Sequence, residues 1–157
     1  MKVTPATKED LAAVGALCRI LFEEMTALQE GYFQAAEPDG RFLADTVESH
    51  NADLLVAKEN GCLLGFALIQ EQKTPPYRCL VPHRYGYITD LVVDPRQRGK
   101  GIGRMLVDAA RDWAVHRKLD YIELTVLAEN ESAARFYEGT GFREGSRLLR
   151  LELPQNR

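Results

Sequence analysis

The chain is poor in cysteine, in tryptophan and in net positive charge. Cys18, Cys62 and Cys79 are odd in number, widely spaced and without a CxxC pair. That excludes a disulfide framework and a zinc ribbon, and it predicts free thiols in a reducing compartment. Lys and Arg number 20 against 23 Asp and Glu, for a net charge of -3. A nucleic-acid binder that relies on general positive charge is thereby excluded. No run approaches the ~20 apolar residues of a membrane span. Met1-Lys2-Val3-Thr4-Pro5 carries no long apolar stretch after its charge, so it does not read as a signal peptide. The expected location is the cytoplasm. His50, His83 and His116 lack metal-ligand spacing, and no metal is expected.

What is present fits one globular domain, residues 1–157, at 45% hydrophobic and 27% charged. A chain of this length buries a real core without staples. Residues 1–5 read as a strand. Thr7 and Asp10 resemble a capping box, and Leu11, Val14, Cys18, Leu21, Phe22 and Met25 recur at helical spacing, which predicts a helix near 8–29. A second helix is expected over 41–49. Asp53–Glu59 and Cys62–Gln70 read as strands joined by Asn60-Gly61, a hairpin signal. After a proline-bearing loop at 71–83 come a strand at Tyr85–Val93, a helix at Gly101–Lys118, a strand at Tyr121–Leu127, a helix at Asn130–Thr140 stopped by Gly141, and a last strand near 145–153. The order β-α-α-β-β-β-α-β-α-β is that of a mixed α/β domain. The strand–helix–strand unit at 85–127 implies two parallel neighbouring strands.

The chemistry concentrates after Val93. Asp94-Pro95 turns the chain, and Gly99, Gly101 and Gly103 lead directly into a helix. Glycines let a ligand approach backbone N–H groups, and the helix start adds unpaired donors and a partial positive charge. Together they predict a pyrophosphate site, to which Arg96, Arg98, Lys100 and Arg104 add local charge. No Walker A loop is present. A dinucleotide G-x-G-x-x-G fails because Arg104 stands where its third glycine belongs. Asp120 and Glu123 lie near the ribose-binding position of such a fold, but too little chain follows for the rest of a doubly wound sheet.

Arg98-Gly99-Lys100-Gly101-Ile102-Gly103 matches the Q/R-x-x-G-x-G/A signature of the GNAT family of N-acetyltransferases. Ile88–Val93 resembles the strand before that signature, and Asn130-Glu131-Ser132-Ala133-Ala134-Arg135-Phe136-Tyr137 resembles the family's downstream helix, followed by Gly141-Phe142. The resemblance implies splayed parallel central strands with coenzyme A in the gap. It implies pantetheine against the backbone of Leu91, Val92 and Val93, and pyrophosphate on the N–H groups from Arg98 through Gly99, Lys100, Gly101, Ile102 and Gly103 to Arg104. It further implies that Asn130 contacts the cofactor, that Tyr137 lies near its sulfur, and that a backbone N–H near Val93 serves the oxyanion. Acetyl-CoA is then the donor, a primary amine the acceptor and a homodimer a common state.

Direct acetyl transfer needs a neutral, aligned amine, donors for the oxyanion and an acid for the leaving thiolate. Tyr137 is the expected acid; its i, i+3, i+4 spacing with Ala133 and Phe136 also suits a core aromatic. Asn130 also suits a helix N-cap. Asp90 is the expected base, ahead of Glu123; relatives often carry Glu one residue earlier, where this chain has Thr89. Glu23, Glu24, Glu30, Glu37 and Asp39 make the first helix and its following loop acidic, which suits either a cationic acceptor or a solvated face. Pro75, Pro76, Tyr77 and Arg78 suit instead an acid-bearing amine. The alternative reading is a non-catalytic acyl-CoA-binding or sensing module on the same fold.

Overall fold

A computed structural model describes residues 1–155. The chain opens with β1, Lys2–Pro5, and a 3-10 turn, Lys8–Asp10, that runs into α1, Leu11–Leu28. The Thr7 N–H donates to Asp10 Oδ2 at 2.8 Å, so Asp serves where a capping box usually has Glu or Gln. Next is α2, Gly40–Glu48, capped by the Asp39 carboxylate, which accepts from the N–H groups of Arg41 and Phe42. Strands β2, Ala52–Glu59, and β3, Cys62–Lys73, form the predicted hairpin. Asn60 and Gly61 take φ of 51 and 77, the two left-handed positions of a type I′ turn. The second half comprises β4, Arg84–Val93; α3, Ile102–His116; β5, Ile122–Glu123; and α4, Glu131–Gly139.

The five strands form one sheet in chain order. All neighbours are antiparallel except β4 and β5, which α3 joins as a parallel pair. The sheet is covered on both faces. On one, Val14, Leu17 and Cys18 of α1 pack on Val56, Phe66, Leu68 and Val92. On the other, Ile102 and Leu106 of α3 pack on Ala57 and Ala67, while Ala110 packs on Leu55, Ile69 and Ile88. Burial on both sides is why β2 and β3 carry unbroken apolar runs, Leu54–Ala57 and Phe66–Ile69, in place of alternation.

Two expectations are corrected. The strand predicted over Tyr121–Leu127 makes ladder bonds only at Ile122 and Glu123. The strand predicted near 145–153 is absent, and residues 143–155 are all exposed, without helix or ladder. A strand exists through its neighbour's hydrogen bonds, and among the described residues no strand meets the outer edge of β5.

Leu106 is fully buried between α3 and the sheet. Leu106→Ala is expected to cost about 3 kcal/mol and to lower the melting temperature by roughly 6–12 °C, read by calorimetry and urea denaturation.

Candidate active site

The site is built where β4 and β5 part. Their parallel pairing joins only Gly86 to Ile122 and Tyr87 to Glu123. Immediately beyond, β4 bulges: Leu68 and Ile69 of β3 face Asp90 and Ile88, which leaves Thr89 without a partner. A bulge bends its strand and increases the local twist. From Ile88 to Val93, β4 pairs with β3 alone, so backbone groups on its other edge, at the level of Leu91–Val93, face an opening. Tyr87 Oη and Thr125 Oγ1, 3.2 Å apart, bridge the opening where it begins.

The glycine loop closes the upper end of β4. Asp94 caps a 3-10 turn at Pro95–Gln97, accepting from the Arg96 N–H at 2.9 Å. Gly99 and Gly101 then take φ of 80 and 83, a region open to glycine and costly to other residues. A Cβ at either would meet nothing within 4 Å, so clear space lies over the loop. Gly101 is the N-cap of α3, and the first helical bond is from Met105 N–H to Gly101 O. The N–H groups of Ile102, Gly103 and Arg104 therefore stand free of the helix ladder, as an anion cradle requires. Open space, free donors and adjacent cations together fit a pyrophosphate.

The basic side chains are more committed than their sequence suggests. Arg96 pairs with Asp94, Arg98 with Glu24 of α1 at 2.8 Å, and Arg104 approaches Asp108. Arg98 Nε also donates to the Val93 carbonyl at 3.2 Å, tying the loop to the strand end. Lys100 Nζ reaches only the neutral Gln97 amide, so its charge stays available.

Helix α4 is docked on this loop. A Cβ at Gly103 would lie 3.0 Å from the Phe136 ring, so a side chain there would press on that ring and the glycine lets it dock closely. Arg104 and Arg111 donate to the carbonyls of Gly139 and Thr140 at 3.3 and 2.8 Å. Asn130 is the helix N-cap, its Oδ1 accepting from the Ala133 N–H at 3.2 Å. Tyr137 stands between Phe136 and Phe142, with ring centroids 5.0 and 5.6 Å away. Its burial pushes the phenol up to about 12, so it remains protonated at neutral pH.

Asp90 shares the α1 face of β4 with Val92, beside Cys18. Desolvation raises its carboxyl above the ordinary range, as a base for neutral pH requires. Burial first, and then the Asp90 charge, push the Cys18 thiol up to about 11, which keeps it neutral and unreactive. Glu123 is exposed on β5. His83 Nδ1 lies 2.9 Å from the Asp120 carboxylate, and Asp120 also accepts from the Arg84 N–H. The ribose-acid position is thus occupied by a structural contact. Cys62 and Cys79 are exposed and unbridged, and no cluster of metal-binding side chains occurs among the described residues. The bulge at Thr89, the Arg98–Glu24 pair and the Gly103–Phe136 contact escape a reading of the sequence. Each joins residues through the fold, and only the glycine itself left a mark in the pattern.

A parallel strand pair that opens beside a glycine-rich helix start, with a protonated phenol on the following helix, defines a group-transfer enzyme that takes a phosphorylated carrier. Residues 17–142 match the Acetyltransferase (GNAT) family, and the chain belongs to that family. It is an acyltransferase, and the family's co-substrate is acetyl-CoA. The N-acetyltransferase YhfO of Bacillus subtilis is 31% identical over 146 residues, 92% of this chain and 91% of that protein. The N-alpha-acetyltransferase RimI of Mycobacterium tuberculosis is 30% identical, over 82% of this chain and 77% of that one. Among solved structures, the tetramutant of the BH1408 protein from Bacillus halodurans superposes with a TM-score of 0.91 at 29% identity, covering 98% of this chain and 100% of that one. AAC(6')-Iy, in complex with the bisubstrate analogue CoA-S-monomethyl-acetylneamine, has a TM-score of 0.71 at 19% identity, a likeness of fold.

Gly101→Ala places a side chain at φ 83. The expected cost is roughly 1–2 kcal/mol of folding stability, measured by chemical denaturation.

Proposed function

We propose that the protein transfers the acetyl group of acetyl-CoA directly to a primary amine of a small molecule or peptide, with both substrates bound together. The observation that carries this reading is the opening beside Leu91–Val93 together with the free N–H groups at the start of α3; Tyr137 is carried by α4, which docks on the same loop through Phe136. In this reading the pantetheine arm lies along Leu91, Val92 and Val93. The pyrophosphate lies on the backbone from Arg98 to Arg104, with Lys100 supplying charge. The Asn130 amide nitrogen faces the cofactor while its oxygen caps α4.

The reaction forms a C–N bond and breaks the C–S bond. Asp90, directly or through water, takes the proton that the amine loses, and a backbone N–H near Val93 supports the oxyanion. Tyr137 acts on the leaving sulfur. A phenol near 12 is a weaker acid than a thiol of about 8.5. It therefore donates a hydrogen bond to the developing thiolate and keeps its proton, and the thiolate is neutralised by solvent after release. This refines the role of Tyr137 from proton donor to preorganised hydrogen-bond donor.

The acidic surface near α1 lends little support to a cationic acceptor. Glu24 is held by Arg98, Glu37 by Arg19 at 2.7 Å, and Asp39 by the start of α2. A cleft of about 440 Å3 between α1, Leu63 and Asp94–Arg96 contains neither Asp90 nor Tyr137, so it is not read as the acceptor site. The exposed thiols of Cys62 and Cys79 suit a reducing, cytoplasmic setting. We also take the working state to be a homodimer.

Turnover is tested by thiol release from acetyl-CoA with a panel of amines; binding of acetyl-CoA without release on any amine would favour the sensing-module reading. Tyr137→Phe is expected to lower kcat roughly 10²–10³-fold with acetyl-CoA affinity retained by calorimetry. Activity should fall with pH along a limb centred above the ordinary carboxylate value, because Asp90 must be ionised and its carboxyl is raised. Asp90→Asn should remove that limb from the pH profile of kcat/KM; a limb unchanged in the variant assigns it to another group.

A further inference from the structure

The α1 face of the sheet is only partly covered. Helices α1 and α2 pack over Leu54, Val56, Phe66, Leu68 and Val92, while the starts of β4 and β5 carry an aromatic and polar strip. Ile88, Ile122 and Leu124 point to the other side, into the cluster of Ala110 on α3, and a Cβ at Gly86 would meet Ile122 and Ile69 there. Strand alternation therefore turns Tyr85, Tyr87, Tyr121, Glu123 and Thr125 to the α1 side, the side of Asp90.

The strip is ordered by its own contacts. Tyr85 and Tyr121 stack, with centroids 5.0 Å apart and planes 14° from parallel. The Tyr85 hydroxyl donates to Gln72 Oε1 at 3.1 Å, and Tyr121 meets the His83 ring edge-on at 5.4 Å. Tyr87 stands opposite Glu123 in the ladder, and its hydroxyl is fixed by Thr125. Nearby carboxylates are engaged, Asp120 by His83 and Glu71 by Arg84, whereas Glu123 is exposed and pairs with no cation among the described residues. Burial first, and then the Glu123 charge, push the phenols of Tyr85 and Tyr121 up, so the carboxylate stands close to both. A carboxylate bordered by tyrosine rings attracts a cation, by its charge and through the electron-rich rings, and repels an anion.

We propose that Glu123, with Tyr87 and Tyr121 beside it, holds a second positive charge on the acceptor, which makes the acceptor a linear diamine. The inference rests on the acetyl-transfer reading and names its acceptor class. This acid lies on β5, apart from the α1-side carboxylates that other residues hold. Asp90 follows Tyr87 by three positions on β4, at the far side of the bulge, a span of roughly 10 Å. With a hydrogen bond at each end, that span suits two nitrogens roughly 5–10 Å apart, the reach of about four to six methylenes. One amine gives its proton to Asp90 as the C–N bond forms and the C–S bond breaks. The other stays an ammonium at neutral pH and is seated on Glu123.

The full chain is assayed by thiol release from acetyl-CoA on cadaverine, pentylamine and δ-aminovalerate, which share a five-carbon chain and differ at the distal end. Cadaverine should lead pentylamine in kcat/KM by roughly 10–100-fold, with δ-aminovalerate last. Glu123→Gln, at an exposed position, should remove that lead, chiefly through the KM for cadaverine. Equal use of the three amines, or a preference for δ-aminovalerate, overturns the diamine class and leaves acetyl transfer standing. An equal loss on cadaverine and pentylamine in the variant, with their ratio kept, assigns Glu123 to proton transfer and overturns its part in recognition. Calorimetry gives a readout free of turnover. Cadaverine should bind the CoA-loaded protein, and the CoA-loaded Glu123→Gln variant should bind it at least about tenfold more weakly. Release on no amine overturns the acetyl-transfer reading. Cadaverine binding that depends on Glu123 would still uphold the cation site in that case, and its absence would overturn both.

Discussion

The structure turns on the parting of two parallel strands. Beyond Tyr87 and Glu123 the ladder stops, and the unpaired Thr89 bends β4 out of the plane that β5 would need. Backbone polar groups left unpaired inside a domain are costly, so the opening persists because a ligand or water can satisfy them. The bulge also decides which face each following residue takes. It sets Asp90 and Val92 toward α1, and Leu91 and Val93 toward α3. A base candidate on the α1 face, and Leu91 and Val93 on the α3 face, follow from one extra residue.

Around that opening, local charges are arranged more for position than for attraction. Arg98 spans from the Val93 carbonyl to Glu24 and thereby fixes the strand end, the loop and α1 relative to one another. An exposed ion pair of this kind contributes little to stability; its geometry matters more than its energy. At the start of α3 the N–H groups stay outside the helix ladder, and Lys100 is bonded only to the neutral Gln97 amide.

Much of this was legible in the residues. Helical spacing placed α1 and α3, Asn60-Gly61 placed the hairpin, and the three glycines placed the loop, because each is a local rule. The signals that failed were those that need a neighbour. Tyr121–Leu127 and residues 145–153 both have strand alternation, but a ladder requires a second chain segment, and alternation does not say where that segment comes from. The Arg98–Glu24 pair spans 74 positions in the chain, so no window of sequence could contain it. Asn130 and Tyr137 each had a structural reading that proved sound, as N-cap and as packed aromatic, and neither excludes a part in the chemistry.

The contact between Gly103 and Phe136 has an evolutionary corollary. It joins a residue of the glycine loop to the ring adjacent to Tyr137, and a methyl group added at 103 would stand only 3.0 Å from that ring. The two positions are coupled: a larger residue at 103 presses on the ring at 136, and a smaller side chain at 136 leaves room that a larger residue at 103 fills. The two should therefore show strong epistasis, with single substitutions deleterious and compensating pairs tolerated. A library that varies the glycine loop would have to vary them together, because the course of that loop and the placement of the phenol are one packing problem.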